Sequence, residues 1–133
     1  RFKKTLYSIV ILTLITGNLW VYPKHIAQGW DASLAHIPYF KLRTKAIQYL
    51  DTDNIPIEKV STFFPNRGKI DMVDLSGDLR SFSDTFTGNE EYVFYSNVFN
   101  LSDKDYYILE NNYHLTKRFE KALVHVDILK RNH

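Results

Sequence analysis

Five histidines, at positions 25, 36, 114, 125 and 133, are the first residues to question for chemistry. No two stand at i, i+4, the spacing that sets a pair of imidazoles on one helix face to grip a metal. A metal would need convergence from distant segments, so the expectation is surface and interfacial histidines without a metal site. Asp71, Asp74 and Asp78 form an acidic patch. Their spacing departs from an EF-hand loop and the closing bidentate Glu is missing. A solvated strand edge is the simpler reading. The glycines at 17, 29, 68, 77 and 88 stand alone, and Arg67-Gly68-Lys69 has neither Walker nor Rossmann spacing. No serine sits in a G-x-S-x-G elbow. The chain has no cysteine, which excludes a thiolate site, a Cys nucleophile and disulfides. The residues by themselves point to no catalytic group and no cofactor.

Aromatic side chains are abundant, with nine Tyr, nine Phe and two Trp, and most are expected in the core of so small a chain. Trp30 is the exception. It stands beside Asp31 in KHIAQGWDASLAHIP, a stretch with no helical or strand period.

Charge places that stretch. Arg1, Lys3 and Lys4 precede an apolar run, and every acidic residue follows it. Apart from those three, 14 basic residues face 15 acidic ones, so the basic balance is an N-terminal flank and no nucleic-acid surface. Thr5 to Tyr22 carries no charge. As a helix it would rise ~27 Å, enough for a slightly short or tilted membrane span. Lys3 and Lys4 at one end, with Trp20 and Tyr22 at the other, are the basic flank and aromatic belt of a span whose N-terminus is cytoplasmic. A signal peptide and a buried soluble helix compete with that reading. The first wants a small-residue cleavage site, whereas Trp20-Val21-Tyr22-Pro23 follows the core. The second wants a polar stripe, whereas only Thr13, Thr16, Gly17 and Asn18 interrupt it.

The remaining elements follow from period. Tyr39 to Leu50 repeats apolar residues at three and four, an amphipathic helix ended by DTDNIP. Lys59 to Phe64 reads as a short strand closed by Pro65-Asn66-Arg67-Gly68, and Ile70 to Leu75 as a weak strand. Ser76 to Glu91 reads as a long surface loop, and Tyr92 to Ser96 as the best central strand. Asn100-Leu101-Ser102 matches a glycosylation sequon, but Ser102 before Asp103 and Asp105 is first of all a helix cap, with Tyr106, Ile108, Leu109 and Tyr113 as the buried face. HLTKRFEKALVHVDILKR alternates twice, placing Leu115, Lys117 and Phe119 on one face and Val124, Val126 and Ile128 on the next, joined near 120–122 as a hairpin.

The expected fold is therefore α/β: an N-terminal transmembrane helix, then a small α/β sandwich with a mixed sheet and a C-terminal β-hairpin. Its expected divisions are a span with its flank at 1–23, a juxtamembrane connector at 24–38 and an extracytoplasmic domain at 39–133. The expected core is Leu42, Ile47, Leu50, Val60, Phe63, Val93, Phe94, Leu109, Phe119, Val126 and Ile128.

YPKHIAQGWDASLAHIPYFKLRTKAIQYLD, then YVFYSNVFNLSD opening a helix, then a closing V-x-V-x-I-L-K-R strand, resembles a known pattern. It is similar to the C-terminal end of bacterial multi-pass membrane glycosyltransferases of the C superfamily, the dolichyl- or polyprenyl-phosphate-sugar mannosyltransferase-like kind. The resemblance covers nearly the whole chain. It implies a transmembrane bundle preceding this piece, with the acidic catalytic residue in its first extracytoplasmic loop, so no catalytic residue is carried over. It implies location in the inner (cytoplasmic) membrane, with the α/β domain outside the cytoplasm capping the active-site face. Implied partners are membrane lipid, a polyprenyl-phosphate sugar, and a glycan or protein acceptor. Trp30, Asp31 and His36, where the chain leaves the membrane, are the substrate-proximal candidates. The alternative is a stand-alone single-span protein with a small extracytoplasmic binding or scaffolding domain.

Overall fold

The computed structural model describes residues 2–17, 34–83 and 85–132. The chain is α/β, with a four-stranded mixed sheet and a C-terminal hairpin. Helix α1 (Phe2–Gly17) comes first, and none of its residues is buried. A 3-10 turn at Leu34–His36 leads into α2 (Ile37–Thr52), where Pro38 sets the first turn. Strand β1 is only Val60–Ser61; β2 is Tyr92–Ser96. Helix α4 (Asp103–Asn112) follows α3 (Asp71–Asp74), and β3 (Tyr113–Lys121) and β4 (Val124–Arg131) close the chain.

The strand order is β1-β2-β4-β3. β1 runs parallel to β2, and the other two pairings are antiparallel. Successive side chains along a strand point to opposite faces, and each face carries its own helix. On one face Phe94 stacks on Phe99, which meets Tyr39 of α2 edge-on at 5.6 Å. On the other, Tyr95 meets Tyr106 of α4 edge-on at 6.3 Å. The sheet is thus sandwiched between α2 and α4. Of the expected core residues all but Phe119 are buried, and Phe119 is half-covered on the edge strand beside Tyr49.

Local signals explain most elements. Ser102 accepts a hydrogen bond from the Asp105 amide at 3.2 Å, the expected cap, and Asp103 and Asp105 stand in the positive first turn. The hairpin turns at Ala122–Leu123, with Ala122 at φ 55°.

Four expectations need correction. Ile70 to Leu75 is no strand: Asp71–Asp74 forms one helical turn, while Met72 and Leu75 are exposed. The apparent alternation is outweighed by side-chain bonds, since Asp71 accepts from the Gly77 amide and Asp74 from the Arg43 guanidinium. The segment after it is no simple surface loop. Phe82 is buried against Phe94 at 5.3 Å, and the Ser83 amide bonds the Val60 carbonyl at 3.0 Å, extending the sheet edge. Tyr113 opens β3 instead of ending the buried face of α4. Finally, Leu115 does not share a face with Lys117 and Phe119. A bulge at Thr116 pairs Leu115 with Leu129 but Lys117 with Ile128, which turns Leu115 toward the α4 side.

Candidate functional site

Among the described residues a concavity lies between α4 and the sheet. It is an open groove of about 400 Å³. Register builds it. Tyr95, Asp127 and Arg118 stand in one row across β2, β4 and β3, and His125 and Leu129 flank Asp127 on the same face. Tyr106, Leu109 and Glu110 of α4 form the opposite wall. The lining is mostly apolar, with a few convergent polar groups, the usual make-up of a binding groove.

Asp127 organises those polar groups. Its side chain is 4% exposed, and both its oxygens accept from Arg118, Nε to Oδ1 and Nη2 to Oδ2, at 2.7 Å each. Such a fork fixes geometry as well as charge. The imidazole Nε2 of His125 lies 3.6 Å from the same Oδ2. The bond to Asp127 raises the Arg118 pKa above its ordinary value. Burial, with the Tyr106 hydroxyl and Asp127 nearby, pushes the Tyr95 hydroxyl well above the usual phenol range. Tyr95 therefore stays a neutral hydrogen-bonding group at any physiological pH. The Arg118 guanidinium takes up both oxygens of the Asp127 carboxylate, and Glu110 adds a second carboxylate to the lining.

Of the expected candidates only His36 is among the described residues. Trp30 and Asp31 lie outside the described residues, as do His25 and His133. His36 is buried at the residue preceding α2, on the face opposite the groove. Of the remaining histidines, His114 pairs with Asn132 at 2.8 Å on the surface. Among the described residues no cluster of three His, Asp or Glu could hold a metal ion.

The acidic patch has a different role from a solvated edge. Arg43, fully buried, spreads its guanidinium over Asp74, the Asn66 Oδ1 at 2.5 Å and the Ile70 carbonyl at 3.1 Å. Arg80 bridges Asp78 and Asp51 on the surface. Each acid of the patch is spoken for by an arginine or, in Asp71, by a backbone amide.

Sequence reasoning missed the groove because its residues come from four elements. The available signal was Tyr95, Arg118 and Asp127, polar or amphipathic residues in strands otherwise read from their apolar face. Comparison with protein-family models, with curated proteins and with solved structures found no match to the chain.

Proposed function

We propose that this chain is the non-catalytic C-terminal region of a bacterial membrane glycosyltransferase that transfers sugar from a polyprenyl-phosphate donor. Residues 5–22 cross the membrane in this reading, and the α/β domain stands outside the cytoplasm. The observation that carries the membrane part is the surface of α1. Leu6, Tyr7, Ile9, Val10, Ile11, Leu12, Leu14 and Ile15 are each 46% or more exposed, and their positions circle the helix. Water does not tolerate so large an apolar surface without a partner.

Two polar side chains support the same reading. Thr13 and Thr16 turn their hydroxyls back to the carbonyls of Ile9 and Leu12, each at 2.9 Å. That satisfies both threonine hydroxyls within the helix, as hydrocarbon requires. Among the described residues no helix is long and apolar enough to cross a membrane. α1 has 16 of them, and the proposed span continues through residues 18–22, outside the described set.

The glycosyltransferase part rests on the resemblance of the Q-G-W-D-A-S-L-A-H segment and its flanks. The groove between α4 and the sheet suits an acceptor or an accessory ligand in that setting. It would equally serve the alternative, a single-span protein with an extracytoplasmic binding domain. The full reading frame, expressed in bacterial membranes with a polyprenyl-phosphate sugar, separates the two. Several further apolar segments upstream, each of ~20 residues, with sugar transfer, are expected. An initiator Met just before Arg1, with no transfer, would overturn the proposal in favour of the alternative.

A further inference from the structure

Strand β3 stands at an outer edge of the sheet, and among the described residues it pairs with β4 alone. The register shows which of its backbone groups face outward. The His125 amide bonds the Asn97 Oδ1 at 2.9 Å, and its carbonyl accepts from the Ser96 hydroxyl at 2.6 Å, both on the β2 side of β4. Residues facing each other in an antiparallel pair either bond mutually or both turn away, in alternation. Glu120 stands opposite His125, and Arg118 opposite Asp127. The amide and carbonyl of Arg118 and of Glu120 therefore point away from β4, to the outer edge. Lys117, Phe119 and Lys121 bond to β4 instead.

The two faces of that edge differ in charge. Phe119 meets Tyr49 of α2, so Lys117 and Lys121 share the α2 face with it. The Lys117 Nζ lies 6.0 Å from the Tyr49 ring and 5.9 Å from the Phe119 ring. Lys45 stands one turn before Tyr49 on the same flank of α2, while Asp53 accepts from the Tyr49 hydroxyl. Farther along, Lys130 is paired with Glu91, and His114 with Asn132. Lysines thus outnumber carboxylates beside the regular stretch 117–121. On the α4 face Arg118 is forked to Asp127, and Glu120 faces His125, with Glu110 on α4 beyond them. A second copy paired antiparallel about Phe119 would bond Arg118 of each to Glu120 of the other. It would also set Lys117 of each against Lys121 of the other. Arg118 is already committed to Asp127, so the attraction is weak, whereas like charges directly opposite destabilise a strand pair. The edge rejects its own copy.

We propose that the outer edge of β3 takes up an extended, acidic segment of another protein as an added strand. That segment carries carboxylates opposite Lys117 and Lys121 and an apolar residue opposite Phe119. Arg118 and Glu120 supply the ladder bonds, and the lysines select the sign of the partner's charge. Lysines guard a strand edge against indiscriminate pairing, and here the same two admit a strand of opposite charge. The bulge at Thr116 interrupts the ladder, which confines recognition to 117–121. The edge belongs to the α/β domain alone, so the proposal does not rest on the membrane reading of α1.

Amide hydrogen exchange of the full, isotope-labelled chain in detergent micelles tests it. The probes are a short synthetic peptide that alternates threonine with glutamate, valine and glutamate, and its counterpart with lysine in place of glutamate. In excess, the acidic peptide is expected to slow exchange at the Arg118 and Glu120 amides at least ~tenfold. Lys117 and Phe119, already bonded to β4, are expected to show no change. The double variant Lys117→Glu, Lys121→Glu alters two exposed side chains and is expected to reverse the preference to the lysine peptide. No slowing with either peptide overturns the site. Equal slowing by both overturns the acidic partner, as does a double variant that keeps the original preference. Slow exchange at Arg118 and Glu120 in the chain alone, growing with its concentration, makes a second copy the occupant and also overturns the proposal.

Discussion

Arg118 and Asp127 stand opposite each other across the β3–β4 pair and join through two parallel bonds of 2.7 Å. The pair is unequal: Arg118 is 43% exposed at its side chain and Asp127 4%. Removing the guanidinium leaves a carboxylate with little water, while removing the carboxylate leaves a cation that can turn outward. Arg118→Met is therefore expected to destabilise the domain more than Asp127→Ala. After discounting for solvent around Arg118, the cost is about 1–2 kcal/mol. Urea midpoints of the two variants at neutral pH check the order, and equal or reversed losses would contradict it.

Arg43 presents the harsher case, with no exposed surface and three partners drawn from Asn66, Ile70 and Asp74. Arg43→Ala strands the Asp74 carboxylate and opens a cavity, at a cost of about 3–5 kcal/mol. Arg43→Lys keeps the charge but cannot reach three acceptors in one plane, so it recovers only part of that loss. Thermal unfolding of both variants is the measurement, and full recovery by Lys would show that charge alone matters.

These two arginines show where the sequence was readable and where it was not. Tyr92–Ser96, the Ser102 cap and the Val124–Ile128 alternation are local patterns, each decided within a few residues, and each appears where expected. The turn at Asp71–Asp74 depends on Arg43, some thirty positions earlier in the chain, and no local period records that pairing. Leu115 changed face because one bulged residue reverses every side chain behind it. The groove required the register of three strands, which a single strand's pattern does not contain.

Glu90 gathers the turn before β2. Its carboxylate accepts from the Thr87 hydroxyl at 2.7 Å and from the amides of Thr87, Gly88 and Asn89 at 2.9 to 3.1 Å. Burial alone would raise its pKa, but those donors outweigh it and hold the value below the ordinary carboxyl range. The Arg80 guanidinium lowers Asp78 in the same direction. Both groups bind a proton more weakly folded than unfolded. Their contribution is therefore complete above the unfolded carboxyl values near ~4 and is lost as pH falls through the folded ones. Stability is expected to drop below about pH 4, and Glu90→Gln to flatten that dependence. A variant with the acid limb unchanged would show that Glu90 does not carry it.

Gly88 and Gly77 both hold positive φ, at 86° and 78°, so an added Cβ strains the backbone at each. Only at Gly88 does the Cβ meet a neighbour, the Ile108 Cγ2 at 2.9 Å, whereas Gly77 has open space. Gly88→Ala is expected to lower the melting temperature clearly more than Gly77→Ala. Equal shifts would mean that Ile108 moves aside without cost.

The central claim is that residues 5–22 hold this domain outside the cytoplasm at the end of a membrane helix. Single cysteines at Lys3 and Asn89, treated on intact cells with a membrane-impermeant maleimide, test it most directly. The account predicts that Asn89→Cys is labelled and Lys3→Cys only after the cells are opened. Labelling of Lys3→Cys from outside with Asn89→Cys protected would reverse the topology, and release of both into the soluble fraction would remove the membrane anchor.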